Sequence, residues 1–270
     1  MMMRSTTALP GAAPTMLTCR LRSCRLALAV QAPCCQRLGA RSRRFCAPLR
    51  LHAYSTRAQL AEATNDDAHV EATRVTLGAV QSQEAFCYGE GINMLQHALQ
   101  AAQAAREQGE TADAVLAALL HDVGNSPQAR AAWVSAGHPD PPLLTSPADD
   151  SIGYAMHAEV GAQFLRGVGF SELVCGAVKL HVEAKRALVA MDPGYMQELT
   201  QASIDTLAQQ GGPLSAVELE DFLGTPGAEV ALRLRRYDDQ GKVPQKEVPQ
   251  LPAYRGEILN HLIAQSSAQT

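Results

Sequence analysis

The sequence contains no long apolar run and few aromatic residues. No stretch approaches the roughly 18 consecutive apolar residues that a membrane-spanning helix needs. Aromatic residues make up only 4% of the 270 residues, and the alternation of apolar and polar residues that is typical of β-strands is missing. Nearly all of the chain after the first 85 residues shows helical periodicity instead. The sequence therefore predicts an all-α protein without a membrane span.

Acidic residues are absent from the first 60 positions, which hold ten Arg and neither Asp, Glu nor Lys. An acid-free cationic segment that contains Ala, Ser and Leu is typical of organellar transit peptides. Residues 1–60 are therefore predicted to be a transit peptide or a disordered leader. The protein is expected in an organellar matrix after removal of this segment, with the mitochondrion favoured over the plastid and the cytoplasm as the alternative.

Cysteine is scarce after the leader, because five of the seven cysteines precede residue 50. The remaining Cys87 and Cys175 are too few for a disulfide framework or a zinc knuckle, so a reducing compartment fits. The residues after position 60 carry 13 basic and 27 acidic side chains. This negative balance argues against a nucleic-acid partner, which would require a basic surface.

The chain after the leader divides into a polar linker over 61–82 and one helical domain over 83–270. Apolar periodicity, capping residues and glycine stops predict about seven or eight helices in this domain. The predicted helices cover residues 93–109, 111–124, 156–169, 171–190, 193–212, 215–224, 227–241 and 254–265. Proline and aspartate are concentrated over 137–151, which is predicted to be an inserted surface loop.

The eight histidines fall into two sets. The first set is expected to be exposed or structural: His52, His69, His138 and His261. The second set lies on apolar helix faces: His97, His121, His157 and His181. Each buried imidazole needs partners for two ring nitrogens, and few other polar core residues are present to supply them. Shared metal ions would satisfy all four rings, with Asp122 as a bridging carboxylate and Asp238 as a further ligand.

The order of these residues resembles the HD-domain superfamily, whose members are all-helical metal-dependent enzymes. In that superfamily a His, a His-Asp pair and a distant Asp bind the first metal. The matching residues here are His97, His121 and Asp122 of "LLHDVGN", and Asp238. The resemblance implies an HD-domain helical bundle in which His157 and His181 add the ligands of a second metal, with Asp122 bridging the two ions.

Further motifs follow one another along the chain: YGEGINMLQHALQAA, HAEVGAQFL, LHVEAKRALVAMDPGY, LTQASIDTLAQQGGP and LRRYDDQGK. Together they are similar to one branch of the superfamily, the phosphonate-cleaving mixed-valent diiron oxygenases of the 2-amino-1-hydroxyethylphosphonate dioxygenase type. The similarity covers essentially all of residues 83–243.

The resemblance also implies residues that bind the substrate. Glu90 matches a Glu that recognises the amino end of the substrate in this branch. The residues that match the phosphonate-binding set are Lys185, Ser203, Thr206 and Arg235. Their helical spacing allows them to converge beside the metals, and a cation, an Arg fork and two hydroxyls suit a tetrahedral dianion.

One position departs from the pattern of this branch. Its lid tyrosine stands three residues before the substrate-binding Glu, where this chain has Cys87, and Tyr88 follows one residue later. Either Tyr88 serves as the lid in a shifted register, or the chain has no lid. The Pro-rich insertion is a second departure, and either of them can change the substrate.

Three functions are compatible with the sequence. The first is a diiron oxygenase that uses O2 and Fe(II)/Fe(III) to cleave the C–P bond of a hydroxylated (amino)phosphonate, giving phosphate and a carboxylic acid such as glycine. The second is an HD-type phosphohydrolase that acts on a phosphate ester or nucleotide with Mn, Co or another divalent metal. The third is a non-catalytic helical scaffold. The complete ligand set favours an enzyme, and Glu90 with the phosphonate-binding set favours the oxygenase.

Overall fold

The computed structural model describes residues 65–89, 91–146 and 149–268. The predicted leader over 1–60 and the predicted substrate-binding Glu90 lie outside these described residues, so both stay predictions. Within the described ranges, no helix combines the length and the apolarity needed to cross a membrane.

The described residues form ten α-helices, and the predicted all-α fold class is confirmed. They are α1 (Asn65–Ser82), α2 (Met94–Glu107), α3 (Ala112–Leu120), α4 (Pro127–Ser135), α5 (His157–Val168), α6 (Glu172–Met191), α7 (Gln201–Gln209), α8 (Ala216–Gly224), α9 (Ala228–Gln240) and α10 (Arg255–Ala268). The number exceeds the prediction because the apolar pattern indicates neither α1 nor α4. A serine cap and Pro127 at its first position start α4.

The prediction of a linker over 61–82 is wrong from Asn65 onward, where the chain forms α1. This helix buries Val80 together with two threonines, Thr73 and Thr76. Each threonine hydroxyl donates to the backbone carbonyl four residues earlier, so the polar side chains are buried without an unpaired group. The helix packs against α10. A polar composition therefore conceals a helix that belongs to the domain.

Two predicted helices are shorter than the sequence pattern indicates. The helix predicted over 111–124 ends at Leu120. The helix predicted over 193–212 divides into a 3₁₀ segment and α7, whose first turn is capped by the side chain of Thr200. The first of these breaks places a His-Asp pair directly after a helix end.

The surface loop predicted over 137–151 contains regular structure, because strands β3 (Leu143–Ser146) and β4 (Asp149–Tyr154) form an antiparallel hairpin there. A second short pair consists of β1 (Cys87–Gly89) and β2 (Ile92–Asn93). The strand β4 contacts β1, and both hairpin strands contact α7. Short strands that pair locally leave no long alternating pattern in the sequence, which is why the hairpin was not predicted.

Arg130 of α4 contacts residues at both ends of the hairpin segment. Its guanidinium lies 3.7 Å from the centre of the Tyr154 ring. It also donates to both carboxylate oxygens of Asp140, which precedes the first strand. One arginine therefore connects the two ends of the insertion.

The longest described helix, α6, packs against α3, α5 and α9, and α2 packs against α3 and α9. Alanines fill much of this core, including Ala98, Ala101, Ala118 and Ala177, each at most 1% exposed. Because alanine is small, the helix axes can approach closely. The polar residues on the facing sides of these helices are thereby brought together.

Candidate metal centre and anion pocket

Six side chains of the predicted metal site meet where five helices converge. They are His97 on α2, His121 and Asp122 directly after α3, His157 at the start of α5, His181 on α6 and Asp238 on α9. All except His157 expose 6% or less of their surface. Histidine and aspartate are rarely buried to this degree without partners or a metal ion.

The six side chains form two groups, each compact enough to hold one metal ion. The first group is His97, His121 and Asp238. Its two histidine Nε2 atoms are 3.0 Å apart, and the Nε2 atom of His97 lies 3.2 Å from Oδ1 of Asp238.

The second group is Asp122, His157 and His181. Its two histidine Nε2 atoms are 3.1 Å apart, and the Nε2 atom of His157 lies 3.3 Å from Oδ1 of Asp122. The other oxygen of this carboxylate, Oδ2, lies 3.5 Å from Nε2 of His121 in the first group. Asp122 therefore presents one oxygen to each group, as a bridging ligand does.

The ring orientation of all four histidines is fixed by backbone carbonyls. Each Nδ1 atom lies 2.6–2.9 Å from one carbonyl oxygen, contributed by Gly241, Ala118, Tyr154 and Val178. Because a carbonyl only accepts, each Nδ1 must carry a proton, and in the neutral ring each Nε2 then has a lone pair. Within each group, two Nε2 lone pairs then face each other at about 3 Å. This arrangement is repulsive without a cation between the two nitrogens.

The electrostatics favour a deprotonated Asp122 carboxylate and a neutral His181 imidazole. Burial alone would raise the pKa of Asp122, but the surrounding histidines lower it to about 2. Burial and the neighbouring His157 and His121 lower the pKa of His181 to about 3. A deprotonated carboxylate and neutral imidazoles are the forms that bind metal ions. The donor set therefore fits two ions.

The turn after α3 positions the bridging carboxylate. A Cβ atom on Gly124 would lie 1.9 Å from the backbone oxygen of His157, so only glycine allows α5 to begin this close. The side-chain nitrogen of Asn125 donates to Oδ1 of Asp122 at 3.4 Å. The side-chain oxygen of Asn125 accepts from the backbone N–H of Tyr154 at 2.8 Å. Asn125, which stands three residues after Asp122, is not among the site residues predicted from the sequence.

A cavity beside the second group holds the predicted anion-binding residues. Its lining includes Lys185, Ser203, Thr206 and Arg235 together with Asp122 and Asp238. Lys185 donates to the Thr206 hydroxyl at 2.7 Å. Arg235 lies 3.4 Å from the Ser203 hydroxyl and 2.5 Å from a carboxylate oxygen of Asp238. These four residues line one space beside the two groups of candidate ligands, and this space is the candidate anion pocket.

Three further residues contact this set and were not selected from the sequence. Lys242 donates to the Ser203 hydroxyl at 3.0 Å. Asp239 accepts from Lys242 at 3.1 Å and also pairs with Arg235, while Tyr195 donates to Asp239. The spacing carried a signal for Asp239, which follows Arg235 by one helical turn.

Tyr88 covers the first group. Its ring stacks on the His97 imidazole with 3.8 Å between ring centres and 15° between planes. Its hydroxyl donates to Oδ1 of Asp238 at 3.2 Å. Cys87 also lines the cavity. Of the two alternatives for the shifted tyrosine, the geometry favours the one in which Tyr88 lies over the site.

A family model described as the HD domain matches residues 94–210. The matched range begins with α2 and ends just after α7. It includes five of the six candidate ligands, and Asp238 follows it along the chain.

Several proteins from other organisms are similar in sequence to this chain. A hydroxymethylphosphonate dioxygenase of Gimesia maris is 34% identical over 175 residues, which are 63% of this chain and 78% of that protein. A glycine-betaine-forming 1-hydroxy-2-(trimethylamino)ethylphosphonate dioxygenase of Leisingera caerulea is 33% identical over 161 residues, 60% of this chain and 74% of that protein. An uncharacterized protein of Acanthamoeba polyphaga mimivirus is 33% identical over 174 residues, 64% of this chain and 74% of that protein.

Proposed function

The chain belongs to the HD-domain family, and from this premise we propose that it is a diiron oxygenase that uses O2 to cleave the C–P bond of a hydroxylated phosphonate. The products are phosphate and a carboxylic acid, which is glycine when the substrate is 2-amino-1-hydroxyethylphosphonate. Together the two products contain two more oxygen atoms than the substrate, and one O2 molecule supplies both. The observation that carries the proposal is the pair of ligand groups joined by Asp122 directly beside an anion pocket.

Two iron ions fit the donor atoms, since imidazole and carboxylate are both ligands of iron. The first ion would be held by the first group and the second ion by the second group, with Asp122 shared. When bound, the irons supply the redox chemistry with O2 and a template for the substrate's oxygen atoms. The Nδ1 hydrogen bonds to backbone carbonyls hold each imidazole in the orientation that this binding needs.

The anion pocket suits a phosphonate group. Lys185 places positive charge beside the Thr206 hydroxyl, and Arg235 places it beside the Ser203 hydroxyl. Cations and hydroxyl donors in this arrangement bind the three oxygens of a tetrahedral dianion. The names of two relatives, both phosphonate dioxygenases, agree with this chemistry. We assign Lys185, Ser203, Thr206 and Arg235 to phosphonate binding.

Tyr88 and Glu90 are assigned to the remaining part of the site. Tyr88 would cover the first group in place of the lid tyrosine of the resembling branch, because its ring stacks on His97 and its hydroxyl reaches Asp238. Glu90 would recognise a positively charged end of the substrate. This second assignment rests on its position in the sequence alone.

A phosphohydrolase is the second candidate, and the anion pocket itself favours it as well. A phosphate ester presents the same tetrahedral oxygens to Lys185 and Arg235. Metal-activated water with Mn or Co would then replace O2 chemistry. A scaffold in which the histidines only pack is disfavoured, because it leaves the facing Nε2 lone pairs of both groups unrelieved.

The test is reconstitution of the protein with Fe(II) without oxygen, followed by partial oxidation. A mixed-valent diiron EPR signal is expected, together with O2 consumption and phosphate release from hydroxymethylphosphonate or 2-amino-1-hydroxyethylphosphonate. Assays with both compounds also show whether the amino group is required. Release of phosphate from esters with Mn(II) or Co(II) in the absence of O2, without reaction of either phosphonate, would support the hydrolase and sink the oxygenase.

A further inference from the structure

Asp239 follows the candidate ligand Asp238 on α9, and three side chains donate to its carboxylate. It accepts hydrogen bonds from the Arg235 guanidinium, the Lys242 ammonium and the Tyr195 hydroxyl. The side chain of Asp239 is 15% exposed and that of Lys242 is 5% exposed. One carboxylate therefore binds three donors, two of which, Arg235 and Lys242, also contact Ser203 in the cavity lining.

Both cations are shared between two acids. Arg235 directs Nη1 to Asp238, at 2.5 Å, and Nη2 to Asp239. Lys242 lies 3.1 Å from Asp239 and 3.8 Å from Asp238. If the charge of Asp238 is committed to a metal ion, Asp239 is the acid that still balances Arg235 and Lys242.

The same two cations also converge on one hydroxyl of the pocket. Arg235 and Lys242 lie 3.4 Å and 3.0 Å from the Ser203 hydroxyl. Two cationic groups so close together repel each other and need a counter-ion between them. Tyr195, which is 2% exposed, fixes the position of that counter-ion.

We propose that Asp239 is a positioning residue, held by Tyr195, that keeps Arg235 and Lys242 together beside Ser203 so that both cations face the phosphonate-binding space. The inference rests on the proposed function for the identity of the anion. It adds Lys242 to the residues that bind the anion. It also assigns Asp239 and Tyr195 a role in anion binding, whereas neither is a candidate metal ligand.

A simpler role for Asp239 predicts the opposite result. If it only reduced the positive charge of the pocket, its removal would strengthen the binding of an anion. If it positions the cations, removal weakens binding even though the pocket becomes more positive. Phosphate affinity therefore separates the two roles by its direction.

The experiment measures binding of inorganic phosphate to the metal-loaded protein by titration calorimetry, and KM and kcat with the phosphonate. For Asp239→Asn, phosphate affinity should fall about tenfold and KM should rise by a similar factor, with a smaller change in kcat. Tyr195→Phe keeps all charges and should weaken phosphate binding about threefold. Glu229→Gln on the same helix, whose side chain is 89% exposed, is the matched control and should change neither value.

Unchanged or tighter phosphate binding by Asp239→Asn would overturn the proposal. Should that variant fail to fold, Tyr195→Phe decides, and wild-type phosphate affinity in Tyr195→Phe counts against it. Calorimetry requires no turnover, so a wild-type protein that binds phosphate but consumes no O2 would refute the proposed function and leave this test intact.

Discussion

The first group and the second group of candidate ligands meet the cavity differently. All three members of the second group line the cavity, whereas Asp238 is the one member of the first group among the described lining residues. Tyr88 covers the first group by stacking on His97. A molecule in the cavity therefore contacts the whole second group, but of the first group it contacts only Asp238, with Tyr88 stacked on His97.

The largest expected effect comes from removing the carboxylate that joins the groups. Asp122→Ala should lower the metal content from about two ions per chain to less than one, because both ions lose a ligand and their shared charge. Activity should disappear with the metal. The measurement is metal analysis of protein reconstituted without oxygen, alongside circular dichroism to show that the helices remain. Retention of two ions would show that the ligand assignment is wrong.

Variants in single groups should separate the two ions. His97→Ala should weaken metal binding in the first group, and His157→Ala should weaken it in the second group, each by at least about tenfold to hundredfold, since loss of an outer-shell partner alone costs that much. We expect each variant to keep about one ion per chain at limiting metal and to lose the mixed-valent EPR signal, since that signal needs two coupled irons. Equal loss of both ions in either variant would mean that the groups do not bind independently.

The positions of the candidate ligands could be predicted from the sequence because each one lies in a helix or directly beside a helix end. His97 and His181 stand on apolar helical faces, and His121 ends an apolar helix, so their burial follows from local periodicity. The chain fold then only has to bring these faces together. The same reasoning placed Arg235 one turn before Asp238, and the structure brings the two within hydrogen-bond distance.

Other features depend on contacts between distant segments, which no local pattern contains. The carbonyl of Gly241 that accepts from His97 Nδ1 is 144 residues away along the chain. Lys242 lies just beyond α9, where helical periodicity ends, yet it reaches Ser203. The hairpin strands pair over only a few residues, so the local sequence pattern predicts a surface loop and not the strands.

We expect substrate binding to depend on pH through Lys185, which lines the cavity beside the second group. Lys185 follows His181 by one helical turn, and burial, together with the nearby Arg235, lowers its pKa to about 7. A lysine is cationic below its pKa, so the charge is lost as the pH rises through about 7 and the affinity for an anion falls. We expect KM for the phosphonate to rise about tenfold between about pH 6 and about pH 8.

Lys185→Arg provides the control for this effect, because arginine stays charged over the whole range. Its KM should vary only as far as ionisation of the phosphonate itself requires, and kcat should show no new pH dependence. Parallel pH profiles of KM in the wild type and Lys185→Arg would contradict the assignment of Lys185 to the anion pocket.

The smallest expected effect concerns the cover over the first group. Tyr88→Phe keeps the ring that stacks on His97 and removes only the hydroxyl that donates to Asp238, so metal content should not change. Loss of one such hydrogen bond changes an equilibrium by about threefold to tenfold. If Tyr88 restricts access to the first group, O2 consumption without substrate should rise by that factor in the variant, as measured with an oxygen electrode. Tyr154→Phe, in the hairpin, keeps its ring against Arg130 and serves as the comparison. An equal rise in both variants would show that Tyr88 has no special part in the difference between the two groups.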